Sequence, residues 1–400
     1  MPELNEAKKR KKRSVRESSE RRALRPRSPG AHPIDIDEAR LLLLPLLGSS
    51  RRALLAVSGG PDSVALMQLC ALIVATGRLA HIEVATVDHG LRENSRAEAE
   101  VVGAWARDCG FSHALLSWEG QKPSACIQER ARAARYALLN ARMREIGATL
   151  LVTAHTLDDQ AETVLMRMAG GTGITGLAGM RPLSKRDGWF HARPFLSIPK
   201  ARLLATCRAN GWPFLEDPSN ENSRFARARW RKLAPVLAQE GLTAERLAKL
   251  AERAASVEEA LEVRAETAFA TACIEESQDE LVLDLEQMLV GEQRETALRL
   301  LIRGVKAAGG LAASTPLRLE RAETLLEALS DAFSARKALK RTLGGAVLEY
   351  DGAERLLLRR EGKRRRGRER AESLKPAVPA RTRRPSPANK GNSIAPSVLV

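Results

Sequence analysis

No two of the five cysteines, Cys70, Cys109, Cys126, Cys207 and Cys273, form a Cys-x-x-Cys pair. Their odd number and scatter also fit reduced thiols in a cytoplasm, most of them buried as small apolar residues. No apolar run approaches the roughly 18 residues of a membrane span. The N-terminus carries charge with no apolar core behind it, so no signal peptide is expected. A soluble, cytoplasmic protein with no membrane partner follows. No Gly-x4-Gly-Lys-Ser/Thr occurs either, which argues against a P-loop NTPase.

Acidic residues are scarce only at the two ends. The 400-residue chain has a formal charge of +16, yet residues 1–32 carry 11 Lys/Arg against 4 Asp/Glu, and residues 359–400 carry 13 against 3. The segment between them is close to neutral, so net charge says nothing about whether the folded part binds nucleic acid. Both ends are rich in Arg, Lys, Ser, Pro and Glu and poor in aromatics, the composition of disordered basic tails whose RNA role is unspecific phosphate attraction, with a real contribution to substrate capture as the alternative. Lys8 to Arg13 also spells a nuclear address, though a solvated arm is the plainer reading.

From residue 51 onward short apolar runs alternate with helical ones: 53–57 then 64–75, 82–87 then 97–109, 114–118 then 125–145, 150–154 then 159–168. Alternation of this kind predicts an α/β fold, a parallel sheet with helices on both faces. Ligands bind such sheets beyond the carboxyl ends of the strands. Ser58, Asp88 and His155 all fall there. Residues 170–200 are rich in Gly and Pro and contain Gly171-Thr172-Gly173-Ile174-Thr175-Gly176, a literal dinucleotide fingerprint. It follows a helix rather than a strand, so a flexible loop beside the site is expected instead. Beyond Pro235 the pattern turns helical, with Leu242, Leu247, Leu250, Ala254, Val257 and Leu261 on one stripe. Residues 346–358 read as a hairpin around Asp351-Gly352. The expected organisation is a tail over 1–32, a catalytic domain over 33–235, a mostly helical RNA-binding domain over 240–358 and a second tail over 359–400.

The strand 53–57 runs into Ser58-Gly59-Gly60-Pro61-Asp62-Ser63 and then a helix. Gly59 and Gly60 let backbone approach an anion, the helix N-terminus supplies amide donors, and Ser58 and Ser63 supply hydroxyls, so the turn reads as a phosphate cradle. A tight turn without a ligand is the bland alternative. Thr153-Ala154-His155-Thr156-Leu157-Asp158-Asp159-Gln160-Ala161-Glu162-Thr163 sets a His at a strand end and three carboxylates at a helix start. Asp159 and Glu162 share a helix face and repel unless a cation sits between them, either Mg2+ or an ammonium group. The bland reading is an N-cap with a solvated acidic turn. Arg135 lies in a helix from which it could neutralise phosphate charge, or simply face solvent. Arg224, Arg227, Arg229, Arg231 and Lys232, interleaved with Phe225 and Trp230, form the best RNA patch in the body, with a solvated helix face as its alternative.

Ser-Gly-Gly-x-Asp-Ser after a strand resembles the pyrophosphate (PP) loop of N-type ATP pyrophosphatases. With Val87-Asp88-His89-Gly90-Leu91-Arg92, Ala131-Arg132-Ala133-Ala134-Arg135-Tyr136, residues 153–163, Arg193-Pro194-Phe195-Leu196 and Glu216-Asp217-Pro218-Ser219-Asn220, the chain is similar to the tRNA(Ile)-lysidine synthetase family over residues 50–240. The resemblance implies an adenine nucleotide alpha hydrolase-like fold. It also implies a ligase that adenylates C2 of the wobble cytidine of a CAU-anticodon isoleucine tRNA and then attaches L-lysine, releasing AMP and pyrophosphate. It would make ATP a substrate held at residues 58–63, Asp62 a catalytic group and Mg2+ ligand, His155 and Arg135 groups acting on the α-phosphate, and Asp159 and Glu162 the lysine pocket. Arg224, Arg227, Arg229 and Arg231 would meet tRNA. The oligomeric state stays open, a homodimer among the options. The family usually has His where Thr86 stands, and Asn and Ile where Ala228 and Trp230 stand. A tRNA thiolation enzyme on the same loop, or an RNA-binding protein that only senses ATP, are the other readings. The first normally wants paired or catalytic cysteines.

Overall fold

The computed structural model describes residues 32–362 apart from 76–80, 93, 121, 123–126, 187, 217–225, 278–279 and 312–316. Residues 1–31 and 363–400, Cys126, the 217–220 block, Arg224 and Phe225 therefore lie outside the described residues, while residues 359–360, expected in the second tail, end the last strand.

The chain opens with α1 (Ile36–Leu47), capped by Asp35, whose side chain accepts from the Glu38 amide. Strand β1 (Arg52–Ala56) has four buried residues in a row, as a strand covered on both faces requires. It is followed by α2 (Pro61–Val74), β2 (His81–Asp88), α3 (Ser95–Asp108), β3 (Ser112–Ser117), α4 (Ile127–Ile146), β4 (Leu150–Thr153) and α5 (Leu157–Ala169). Then come the one-turn α6 (Ile174–Leu177), a hairpin of β5 (Leu183–Arg186) and β6 (Trp189–Ala192), and α7 (Lys200–Ala209). The six strands form one sheet in the order β3-β2-β1-β4-β6-β5, parallel except for β5 at the edge. The four strand–helix pairs expected from the alternation are all present. The β5–β6 hairpin was not foreseen.

Alternate residues of β1 face opposite layers. Ala53 and Leu55 join Val57 against a cluster with Leu43 of α1, Leu66 of α2, Val102 of α3 and Leu203 of α7. Leu54 and Ala56 face Leu139 and Met143 of α4. Arg202 of α7 clamps α1 through two hydrogen bonds to Glu38, at 2.7 and 2.6 Å, and one to the His32 carbonyl.

The C-terminal part begins with α8 (Ala226–Gln239) and the 29-residue α9 (Ala244–Ala272), about 43 Å long at the rise of an α-helix. The first half of α9 packs Leu247 and Ala251 against Ala161, Val164 and Leu165 of α5. Its second half buries Ala265, Ala268 and Ala272 in a separate core. Of the stripe expected on this helix, Leu247 and Ala254 are buried, but Leu250 and Val257 are exposed and further alanines take the rest of the buried face. Small side chains let the helix axes approach, and that outweighs the apolar pattern of the larger ones.

That second core holds α10 (Leu285–Leu289), α11 (Arg294–Gly309) and α12 (Leu319–Ser334), with β7 (Cys273–Glu276), β8 (Glu280–Asp284), β9 (Leu339–Leu343), β10 (Ala346–Tyr350) and β11 (Arg355–Arg360). The hairpin over 346–358 is there, as β10 and β11. It is part of an antiparallel sheet, β7-β8-β11-β10-β9, that the helical pattern concealed. The 171–176 stretch is not loose: Arg167 of α5 donates to the carbonyls of Gly176 and Gly179, and Thr175 donates to Glu258 of α9.

Removing Glu38 leaves the buried Arg202 guanidinium with backbone carbonyls alone. Glu38→Ala should lower unfolding free energy in urea by about 2 kcal/mol, and Glu38→Leu with Arg202→Met should recover most of it.

Candidate active site

The sheet order reverses between β1 and β4, the place where ligands enter open parallel sheets. The loop after β1 carries residues 58–63 and the loop after β4 carries His155, so the two constellations meet at this switch point.

Gly59 adopts φ +89°, and a Cβ there would lie 2.7 Å from Leu215 Cδ1 and 2.9 Å from Val102 Cγ2. Only glycine fits, and its carbonyl accepts from the Leu215 amide at 2.9 Å. Gly60 is the N-cap of α2, with no side chain capping the helix and open space where a Cβ would stand. The first-turn amides of α2 thus face a position free for an anion. Ser63 is buried; its hydroxyl donates to the Gly60 carbonyl at 2.9 Å and accepts from the Ser58 amide at 3.2 Å, bracing the loop from inside. Ser58 is exposed on the outer side.

Asp62, on the first turn of α2, has one carboxylate oxygen 3.3 Å from Lys200 Nζ, while the other, Oδ1, is buried without a hydrogen-bond partner. Burial raises its pKa from 3.8 to about 6; Lys200 opposes the rise, and Asp159 and Asp158 add to it. A buried, orphaned carboxylate oxygen beside an anion cradle fits a divalent cation shared with phosphate oxygens. Among the described residues no cluster of three His, Cys, Asp or Glu could hold a metal by itself.

Across the crevice, Thr156 caps α5 in a capping box: its hydroxyl accepts from the Asp159 amide, and Asp159 Oδ2 accepts from the Thr156 amide at 2.9 Å. Asp159 therefore does cap, and it also keeps Oδ1 turned into the site, 3.5 Å from Arg227 and 3.9 Å from Arg231. Glu162, 6% exposed, accepts from Arg231 Nε at 2.5 Å and lies 3.9 Å from Arg227. Burial holds the Glu162 carboxyl above its ordinary value despite Arg231. The cation expected between these carboxylates is thus supplied by two arginines of α8. Asp158 points elsewhere and accepts from the Lys200 amide at 2.8 Å.

His155 is held well below its ordinary pKa by burial and then by the charges of Arg135, Arg193, Arg132 and Arg227. Arg135 is half-buried on α4 near enough to act on both His155 and His89. Asp88 accepts from the Gly90 amide and the Ser95 hydroxyl, which together outweigh its burial and lower its pKa; it shapes the loop after β2. The Thr86 hydroxyl lies 2.9 Å from His113 of β3, so its partner there is a neighbouring strand. Trp230 packs with the Val164–Leu247 cluster rather than standing as a stacking surface.

Lys200 and His191 escaped sequence reasoning, and Thr153 was quoted there without a role. Lys200 joins the loops because its amide takes Asp158 and its ammonium takes Asp62. His191 and Thr153 connect Arg193 to His155. The only sequence hint was the Arg193-Pro194 pair shortly after a His. Of the thiols, Cys70 and Cys207 are buried and pushed up to about 12 and 11, and Cys109 and Cys273 are raised as well. Burial is the main cause in each, and such thiols are poor nucleophiles.

A PP-loop domain model matches residues 37–237. The tRNA(Ile)-lysidine synthase of Methylobacterium sp. (strain 4-46) is 48% identical over 344 residues, 85% of this chain and 98% of that protein. The chain belongs to the tRNA(Ile)-lysidine synthase family. The synthase of Methylobacterium nodulans is 47% identical over 84% of this chain and 99% of its own length, and that of a Bradyrhizobium strain, BTAi1, is 44% identical over 79% and 92%. These alignments run past the PP-loop domain into the part built on α9 and the second sheet. Among the described residues no helix is long and apolar enough to cross a membrane.

The Asp62 shift has a defined pH sign. A folded-state pKa of about 6 against 3.8 means its contribution is fully present below about pH 4 and is lost as pH rises through 6. Asp62→Asn should therefore stabilise the protein at pH 7 by on the order of 2 kcal/mol, and the gain should vanish by about pH 4 in urea unfolding.

Proposed function

We propose that this chain ligates L-lysine to C2 of the wobble cytidine in isoleucine tRNA bearing a CAU anticodon, with ATP cleaved to AMP and pyrophosphate. The product, lysidine, reads AUA where the unmodified anticodon reads AUG. The observation that carries the reading is the meeting of an uncapped α2 N-terminus with the Asp159–Glu162 carboxylate pair at one crevice, in a chain alignable with lysidine synthases over nearly their whole length.

In the first step the C2 oxygen of cytidine attacks the α-phosphorus of ATP and pyrophosphate leaves. The residues 58–63 receive the leaving group: amides of α2 and the Ser58 hydroxyl face it, and Asp62 would hold a Mg2+ ion, which would offset phosphate charge. Arg135 and His155 meet the α-phosphate, Arg135 by its charge and His155 as a neutral group. In the second step the lysine ε-amine, in its neutral form, attacks C2 and gives up a proton to solvent, and AMP departs with the former C2 oxygen. Asp159 and Glu162 bind the lysine cation where Arg227 and Arg231 now sit, so lysine entry and guanidinium departure are one exchange. An RNA-phosphate role for Arg227 and Arg231 requires the same departure, which couples tRNA binding to opening of the lysine pocket. Arg224 and Arg229 complete the proposed tRNA contact. The wobble base must unstack to reach this crevice, at the modest cost typical of a single-stranded loop. The raised thiols speak against sulfur transfer at this site.

The test incubates the protein with ATP, labelled lysine and a CAU-anticodon tRNA(Ile) transcript. Label in RNA with AMP formed in equal amount is expected; ADP as product, or sulfur incorporation in place of lysine, would overturn the reading. In the same assay Glu162→Gln should raise the lysine KM at least 10-fold with the ATP KM within about twofold, a loss of roughly 1.4 kcal/mol confined to the lysine pocket.

A further inference from the structure

Beneath His155 runs a chain of polar side chains from β6 to β4. Arg193 Nη2 lies 2.8 Å from His191 Nδ1, His191 Nε2 lies 2.9 Å from Thr153 Oγ1, and Thr153 Oγ1 lies 2.7 Å from His155 Nδ1. All of it is shielded: His191 is 1% exposed, Thr153 2% and Arg193 5%. Tyr136, Trp189 and His155 itself surround the His191 ring.

The direction of every bond follows from donor arithmetic. A guanidinium has donors and no acceptor, so Arg193 donates and His191 Nδ1 bears no proton. A neutral imidazole must then carry its proton on Nε2, which points at Thr153 Oγ1. The Thr153 oxygen accepts that bond, and among the described residues its only other partner is His155 Nδ1. Its single proton goes there. His155 Nδ1 is thereby an acceptor, and the proton of His155 sits on Nε2. Arg193 is anchored for this task by the Arg181 carbonyl at 2.8 Å.

We propose that Arg193, His191 and Thr153 form a one-way hydrogen-bond relay that fixes His155 as the neutral Nε2–H tautomer, making it a hydrogen-bond donor at the α-phosphate and not a base. The last clause rests on the function proposed above; the relay itself does not. Arg193, His191 and Thr153 are positioning residues, since they act through His155. Burial and the neighbouring arginines reinforce the neutral state, holding His191 at about 2 and His155 well down. A proton added at His155 Nδ1 would leave the Thr153 proton without an acceptor.

The tautomers are read in the full-length, ligand-free protein by long-range proton–nitrogen correlation of histidine rings labelled with 15N. The sequence has six histidines, and His155→Gln and His191→Gln assign the two signals. Both rings should show a protonated Nε2 and a bare Nδ1. Thr153→Val should release the His155 tautomer to a mixture and lower kcat for AMP formation about 100-fold with the ATP KM within twofold. Thr153→Ser should restore both. A protonated Nδ1 or an imidazolium at His155 in the wild-type protein would overturn the relay, as would a Thr153→Val protein with unchanged tautomer and kcat. Because the tautomer is read without substrate, a wild-type protein that transfers no lysine would overturn the proposed function alone.

Discussion

Everything at this crevice depends on compensating buried carboxylates. Asp62, Asp159 and Glu162 converge from the starts of two helices at the point where the sheet order reverses, where burial and then the Asp159 charge raise the cost of ionising Asp62 and Glu162. Desolvated like charges of this kind do not persist unpaired. Lys200 answers Asp62, and Arg227 and Arg231 answer the other two. The helix dipoles of α2 and α5 add a fixed favourable potential to both groups. A site that needs cations to exist is a site that can exchange them, and that is the physical basis for reading it as a place for a metal-bound nucleotide and an amino acid with an ammonium group.

The same constraint ties the two halves of the molecule together. The carboxylates sit on α5, the arginines on α8, and α9 packs on α5 with Leu247 and Ala251 before entering the second core. α8 touches Asp159 and Glu162 directly through Arg227 and Arg231, whereas α9 meets them only through the apolar face of α5. Arg299 adds a further strut, taking Glu258 of α9 in two hydrogen bonds.

Much of this was legible in the residues. Gly59-Gly60 after an apolar strand was legible as a tight turn into a helix start because its chemistry is local: a positive φ, an uncapped helix and a short turn. His155 with Asp159 and Glu162 was legible for the same reason. What escaped was set by distant partners. Lys200 is 138 positions from the carboxylate it neutralises, and His191 finds Thr153 only because β6 pairs with β4. Arg227 and Arg231 read as a nucleic-acid patch because a run of cations looks outward until a buried carboxylate is placed beside it. Strands β7 and β9 are four or five residues long, at the edges of their sheet and heavy with charge, as edge strands often are. Their pattern is too brief to compete with the helices around them.

At this crevice the RNA base is activated by transfer of AMP to the cytidine C2 oxygen before the lysine amine attacks, on the function proposed. The most direct measurement follows that oxygen. A tRNA(Ile) carrying 18O at C2 of its wobble cytidine is converted with ATP and lysine, and the products are weighed by mass spectrometry. The account predicts the label in AMP, one atom per lysidine formed. Label in water or in pyrophosphate would contradict it.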